Sequence, residues 1–482
     1  MPRGTRPSSD LEVVLEQAKR LVTPSDEERR KLQSVLEEAL SRVRRAVDEL
    51  GFDADVVPVG SAVRDTWLPG NYELDIFVLF PMGVGGKDVL GELIREIAAK
   101  AFGDYIQNYA EHPYVMVKLG EFDIDLVPAY RIGKGERIAS SVDRTPLHNS
   151  YVKSKLRSPT EVRLLKAFLK SIEAYGAEEK VGGFSGYLCE VLVIYYGSFL
   201  EVLRAAKDWQ PPVCIDPEDH LGEEYASVLF PKDPLVVIDP VDPRRNVAAA
   251  LTLTQFNRFR IAARAFLINP SIEFFERALR PLKVRVRSSV IEGELKRRGT
   301  HLVVVELFKL DEPDQLSREL LWSQAKKLGR ILGDELRKHG FDPMWSSGWT
   351  DESSTIVVAA EIPYLLLPTL ERREGPPVGM RDEDNFLLKY VGSEVTLGGP
   401  FIREDKWYVF RRRKYREATL LASDIFRGQR LPSILRGRAK IRVLTERELA
   451  SLGQWALNEI WKELKKEEFF VRLLAEGLER GQ

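Results

Sequence analysis

The chain has 482 residues, 44% of them apolar and 30% charged, with a formal net charge of −1. That length suffices for three or four domains with real cores, and the even charge balance excludes a global electrostatic pull toward nucleic acid, so any such surface must arise from local segregation of charge. Two cysteines, Cys189 in an apolar helical run and Cys214 in a loop, argue against a disulfide framework and for a reducing compartment, and no CxxC, HExxH or paired His spacing points to zinc.

The start, MPRGTRPSSD, is polar and charged with no apolar run behind it, so no signal peptide is visible. Residues 10 to 50 read as helical: Thr23-Pro24-Ser25-Asp26 is a start signal, Leu32, Val35, Leu36, Leu40, Val43 and Val47 recur at helical spacing, and Gly51 is a natural stop. Strands are expected near 55–59, 73–80, 114–119 and 122–128, which makes a small sheet backed by helices. Between them PMGVGGKDVL lacks the GxxxxGK[ST] spacing of a phosphate loop and reads as an ordinary loop.

Glu161 to Lys170 and Ser185 to Ala206 follow as two helices. The run LCEVLVIYYGSFLEVL is interrupted by Glu190 and too short to span a bilayer, so the chain is expected to be soluble and cytoplasmic. Asn246 is placed to cap a helix running to about 278. Then come VRVRSSVIEGELKRRGTHLVVVELFKL, a helix from about Asp314 to His339, and strands at Pro343–Trp349 and Ser354–Pro363, together a β-α-β-β module. Basic strands and a closing helix over 446–478 end the chain. From Phe401 to Arg442 there are 13 Lys and Arg against 4 Asp and Glu, interleaved with Trp407, Tyr408, Phe410 and Tyr415, a mix suited to tracking an RNA backbone.

The densest chemical signal lies in GSAVRDTWLPGNYELDIFVLF. A strand sends alternate side chains to one face, so Glu73 and Asp75 project together while Leu74, Ile76 and Val78 enter a core. Adjacent acids repel unless cations sit among them. Two Mg²⁺ ions about 4 Å apart need oxygen ligands from more than one strand. The hairpin YVMVKLGEFDIDLVPAY supplies a further strand with Asp123 and Asp125 on one face, and either could be the third ligand. The Ser61 hydroxyl and the amides of a turn opening a helix suit a triphosphate.

The pattern Gly-Ser, eleven residues, then Glu-Leu-Asp resembles the nucleotidyltransferase superfamily of DNA polymerase β. The longer string AEHPYV, DIDLVPAY, SSVDRTPLH, EVRLLKAFLK, YGAE, GFSGYLCEVL and DPVDPRRNVA is similar to the archaeal, class I CCA-adding tRNA nucleotidyltransferases, and a WYVF segment near 407 shares that look.

The resemblance implies a multidomain α+β chain: a nucleotidyltransferase head at 1–153, a helical neck at 154–234, a body at 235–275 plus 405–482, and a tRNA-binding tail at 276–404. It implies catalytic and metal-binding roles for Glu73, Asp75 and Asp125, the last matching the family position before Leu-Val-Pro. Ser61 and Arg64 are implied to hold the triphosphate of the nucleotide, and His148, Lys166 and Tyr175 to contact its phosphates and ribose. Arg245, with Arg244 as the neighbouring registration, is implied to read the base together with the RNA backbone, and Tyr109 and His112 to touch the acceptor end.

The expected activity is template-independent addition of C, C and A to the tRNA 3′ end from CTP and ATP, with two Mg²⁺ ions and release of pyrophosphate. The expected partners are the acceptor stem and elbow of tRNA, with a homodimer plausible from the family. A poly(A) polymerase or oligoadenylate synthetase on the same head, and a non-catalytic RNA-binding relative, remain open.

Overall fold

The computed structural model describes residues 7–109, 113–133, 140, 142–221, 228–280, 285–310, 316–428 and 430–481. The chain divides into two units, Met1–Lys283 with Glu467–Gln482, and Val284–Lys466.

In the first unit the expected amino-terminal helical stretch is two helices, α1 (Pro7–Val22) and α2 (Asp26–Leu50). Ser25 and Glu28 form a reciprocal capping box at the start of α2, and Gly51 ends it in the left-handed region at φ 71°. Strands β1 (Asp55–Val59), β2 (Glu73–Phe80), β3 (Ile106–Tyr109), β4 (Pro113–Leu119) and β5 (Phe122–Tyr130) form one sheet in the order β1-β2-β5-β4-β3. Of its pairings, β2 with β5 is parallel and the others are antiparallel. A five-residue helix, α3 (Gly60–Arg64), links β1 toward β2, and α4 (Lys87–Phe102) follows β2.

Alternation fixes what each face does. Leu74, Ile76, Val78 and Phe80 of β2, with Ile124 and Leu126 of β5, bury against Leu36 and Val43 of α2 and Ile94 and Ile97 of α4. Each such side chain contributes about 1.5–3 kcal/mol. The odd-numbered residues Glu73, Asp75, Asp123 and Asp125 are thereby sent to the opposite face.

The rest of this unit is built on a core rich in phenylalanine. α5 (Thr145–Lys155) and α6 (Pro159–Ser171) precede the run expected as one helix over 185–206. That run is two helices, α7 (Gly186–Tyr196) and α8 (Phe199–Ala206), bent by 91° at Gly197-Ser198. Gly197 stops α7 at φ 92° and the Ser198 side chain caps α8, so local turn chemistry overrides the apolar pattern. Strands β6 (Val213–Ile215), β7 (Leu235–Asp239) and β8 (Asp242–Asn246) form a small sheet, so Cys214 lies in a strand and not in a loop.

Asn246 ends β8 and caps no helix. Its Oδ1 accepts from the amides of Val237 and Ala248, both at 2.8 Å, and Thr252 caps α9 (Leu253–Ile268). α10 (Glu273–Leu279) and a terminal helix, Phe469–Gly481, complete the unit. Phe168 of α6 sits at the centre, stacked on Phe274 at 5.0 Å and edge-on to Phe199, Phe259 and Phe266. Both cysteines are free. Among the described residues no single helix is long and apolar enough to cross a membrane, and the bent pair α7–α8 that passes by length and composition contributes to this core.

In the second unit β9 (His301–Phe308), helix Arg318–Lys338, β10 (Trp345–Thr350) and β11 (Ile356–Ile362) occur in the expected β-α-β-β order. β15 (Lys440–Thr445) adds a fourth strand, giving the antiparallel order β10-β11-β9-β15. Both faces of the sheet are buried: Val303, Val305 and Leu307 pack with helix Arg318–Lys338, while Leu302 and Val304 pack with helices Ser288–Arg298 and Gln454–Lys465. This two-sided burial explains the nearly continuous apolar run LVVVELF, interrupted only by Glu306.

A second sheet, β12-β14-β13, is formed by Leu370–Pro377, Lys406–Arg412 and Thr396–Arg403. The basic tract is partly neutralised within this unit. Glu371 accepts from Arg411 (2.6 Å) and Arg413 (3.0 Å), Glu374 from Lys406 (2.5 Å), and Glu306 from Arg442. Tyr415 enters the core, whereas Tyr408 and Phe410 stand beside Phe401 on the smaller sheet.

Candidate active site

Parallel pairing of β2 with β5 sets Glu73 opposite Asp123 and Asp75 opposite Asp125. Four carboxylates therefore share one sheet face across two adjacent strands. Lys118 pairs with Asp123 at 3.4 Å, which leaves Asp125 facing the other acids.

Burial, then the neighbouring charges of Asp75, Glu73 and Asp123, pushes the Asp125 carboxyl up to about 7. Burial raises Asp75 to about 6, with Arg64 opposing and Glu73 adding to the rise. Such a cluster holds protons or cations. Among the described residues no three His, Cys, Asp or Glu side chains already surround a single point as metal ligands. Donor chemistry and strand register fit a divalent cation, with hard oxygens on one face of two adjacent strands and carboxyls that repel one another.

The turn before the acids is shaped around them. Gly60 has φ +80°, and a Cβ there would lie 2.0 Å from Asp75 Oδ2. Ser61 follows in α3, half-buried. The end of α3 is fixed by Asp65, itself left-handed at φ 55°, whose carboxylate pairs with Arg29 at 2.6 Å and Arg163 at 3.2 Å.

Arg64, Lys166 and Tyr175 come together around a residue absent from the expected set, Glu190. Its side chain is fully buried, and its Oε1 accepts from Arg64 Nε at 2.9 Å and from the Thr66 hydroxyl at 2.6 Å. Lys166 Nζ donates to the Thr66 carbonyl at 3.0 Å and lies 3.2 Å from its hydroxyl oxygen. Burial pulls the Lys166 ammonium below its usual range. Gly186 makes room for the cluster, since a Cβ there would sit 3.1 Å from Tyr175 Oη and 3.5 Å from Lys166 Nζ.

His148 and Arg245 meet at a second buried carboxylate, Asp239. His148 Nε2 is 2.9 Å and Arg245 Nη1 2.8 Å from Asp239 Oδ2, and Tyr187 stacks on His148 at 3.9 Å. Arg244 points the other way with its side chain 82% exposed, against 37% for Arg245. The two clusters adjoin through α5 and α7, because Asn149, next to His148, accepts from Arg64 at 3.3 Å, and Tyr187 and Glu190 lie one helical turn apart. Tyr109 ends β3, and His112 lies outside the described residues.

Glu190, Asp239, Thr66 and Tyr187 are the residues that sequence reasoning missed. Two of them left a signal. Glu190 interrupts an otherwise apolar helix, and Asp239 closes an apolar strand, each a carboxylate where burial demands a partner.

A small mixed sheet presenting paired carboxylates beside a Gly-Ser turn, with buried cations close by, is the architecture of a nucleotidyltransferase. Family models agree along the chain: nucleotidyltransferase domain at 40–148, tRNA nucleotidyltransferase second domain at 160–276, and CCA-adding enzyme C-terminal domain at 298–431. The chain is 38% identical over 410 residues to the CCA-adding enzyme of Pyrobaculum islandicum, covering 84% of this chain and 91% of that protein. It is 41% identical over 390 residues to that of Methanopyrus kandleri (77% and 79% covered) and 34% identical over 460 residues to that of Haloarcula marismortui (91% and 96% covered). Among solved structures, the Cid1 poly(U) polymerase aligns at 17% identity with a TM-score of 0.41, over 54% of this chain and 93% of that one. The chain belongs to the CCA-adding enzyme family.

Proposed function

We propose that the chain extends the 3′ end of tRNA by C, C and then A, taking CTP and ATP and releasing pyrophosphate, with Glu73, Asp75 and Asp125 binding two Mg²⁺ ions. The observation that carries this reading is the in-register parallel pairing that lines these carboxylates up beside Gly60-Ser61, in a chain related to CCA-adding enzymes over most of its length.

Bound magnesium supplies Lewis-acid activation of the attacking hydroxyl and neutralises charge on the departing phosphates. Asp125 orients the terminal 3′ hydroxyl of the tRNA. It is favoured over Asp123, which already pairs with Lys118. Ser61, Arg64, Lys166 and Tyr175 hold the triphosphate and ribose, with the buried Glu190 anchoring Arg64 directly and Thr66, itself bonded to Glu190, anchoring Lys166. Arg245 meets the incoming base and the RNA backbone and is favoured over the solvent-facing Arg244. His148, which the resemblance assigns to the phosphates and ribose, we assign to the base side instead, because it shares Asp239 with Arg245. Tyr109 and His112 touch the acceptor end.

The head (1–153), neck (154–234), body (235–275 with 405–482) and tail (276–404) divide this work, the tail and basic tract holding the acceptor stem and elbow of tRNA. A homodimer and a cytoplasmic location complete the reading.

The test is incorporation into a tRNA transcript lacking its last three residues, resolved to single nucleotides. Two additions with CTP alone and a third only with ATP present are expected. A long ladder with ATP alone would instead make the chain a poly(A) polymerase.

A further inference from the structure

Asp239 ends β7, a strand whose five residues are all buried, and its own side chain is fully excluded from solvent. A carboxylate in such a place is costly unless donors surround it. Both oxygens are occupied. Oδ2 faces His148 Nε2 at 2.9 Å and Arg245 Nη1 at 2.8 Å, while Oδ1 faces the Val241 amide at 3.1 Å, His148 Nε2 at 3.2 Å and the Tyr187 hydroxyl at 3.4 Å. A carboxylate only accepts. It therefore holds His148 as the tautomer with its proton on Nε2 and leaves Nδ1 as an acceptor, while stacking on Tyr187 fixes the ring plane. The rest of the Arg245 fork, on a side chain 37% exposed, is left to donate outward.

A donor fork and an acceptor ring nitrogen held by one anchor complement a particular base edge. Cytosine and adenine both present a ring-nitrogen acceptor beside an exocyclic amine, whereas uracil and guanine present a carbonyl beside a ring N–H. We infer that Asp239 is a positioning residue for nucleotide selection, aiming His148 and Arg245 as one unit so that the amino bases C and A are accepted and the keto bases U and G are rejected. This rests on the reading that His148 and Arg245 meet the incoming base.

Asparagine cannot substitute without loss. Its amide would face the Arg245 guanidinium at one oxygen position or the Val241 amide at the other, donor against donor.

The experiment measures kcat/KM for CTP against UTP on a transcript lacking CCA, and for ATP against GTP on one ending in CC. Asp239→Asn should lower both ratios by about tenfold or more. In an Arg245→Ala background the same change should add little, because the two act as a unit. Glu190→Gln, on the phosphate-side cluster, should slow the right and wrong nucleotides alike.

Full discrimination in Asp239→Asn with discrimination lost in Arg245→Ala would overturn the inference alone, as would strictly additive losses. Full discrimination in Arg245→Ala would overturn the reading of Arg245 on which it rests. Should Asp239→Asn not fold, the wild-type protein with ¹⁵N-labelled histidine answers the question. It has five histidines, and the His148 signal is identified by its loss in His148→Gln. A neutral Nε2–H tautomer is expected, and an Nδ1–H tautomer would overturn the proposal.

Discussion

Substituting Gly60 by alanine should disable the enzyme through one displaced oxygen. The added Cβ would stand 2.0 Å from Asp75 Oδ2 and 2.9 Å from its Cγ. Ordinary C···O contact is about 3.3 Å, so the carboxylate must retreat by roughly 1 Å. A misplacement of that size at a reacting centre costs about 100-fold in rate. The left-handed backbone, φ +80°, adds a stability cost of about 1 kcal/mol.

Gly51→Ala separates the two effects. Gly51 is also left-handed, at φ +71°, but a Cβ there meets nothing within 4 Å. Both variants should melt at similarly lowered temperatures. In single-turnover CTP incorporation only Gly60→Ala should lose about two orders of magnitude. A folded Gly60→Ala protein with a rate within about threefold of wild type would refute the claim that Gly60 is kept bare to seat Asp75.

Glu190→Gln removes the charge that holds Arg64, so KM should rise about tenfold for CTP and ATP equally; a change for one nucleotide only would place Glu190 on the base side. For Asp125 the folded pKa, about 7, lies above the unfolded value, so its contribution to stability without metal falls as pH climbs from about 4 through 7. Asp125→Asn should thus be inactive yet melt higher than wild type at pH 8 in EDTA, by about 1 kcal/mol after allowing for solvent screening, with the gain fading toward pH 5. Arg403 and Arg412 are exposed, whereas Arg411 is tied to Glu371 at 2.6 Å. Replacing the first two by alanine should weaken tRNA binding and flatten its salt dependence by roughly one unit per lost phosphate contact, at unchanged melting temperature. Arg411→Ala should lower the melting temperature instead.

Local chemistry made the head readable. The capping box of α2, the two-residue alternation of β2 and the hairpin between β4 and β5 are each set by neighbours in sequence, and the expected strands over 55–59 and 73–80 coincide with the observed ones. β3 went unseen because four residues, IQNY, carry no alternation to detect. The break between α7 and α8 was hidden by an apolar run on both sides of Gly197-Ser198. Candidate site residues were legible as types. Their anchors were not, because Arg64 reaches Glu190 across 126 residues and His148 reaches Asp239 across 91, distances at which only the folded chain brings them together. The basic tract looked more positive than it is, since Glu371, Glu374 and Glu306 lie outside it in sequence.

The parallel pairing of β2 and β5 also limits how the chain can tolerate insertions and deletions. Gaining or losing one residue inside either strand exchanges the two faces, bringing Ile124 or Leu126 to the place of a carboxylate and driving an aspartate among Val78, Ile94 and Val117. The same indel in the 81–86 loop leaves the register alone. A tolerated length change in this region is therefore expected in the loops, where it alters the spacing between Asp75 and Asp125 freely, whereas the spacing of Glu73 and Asp75 inside β2 can change only in steps of two.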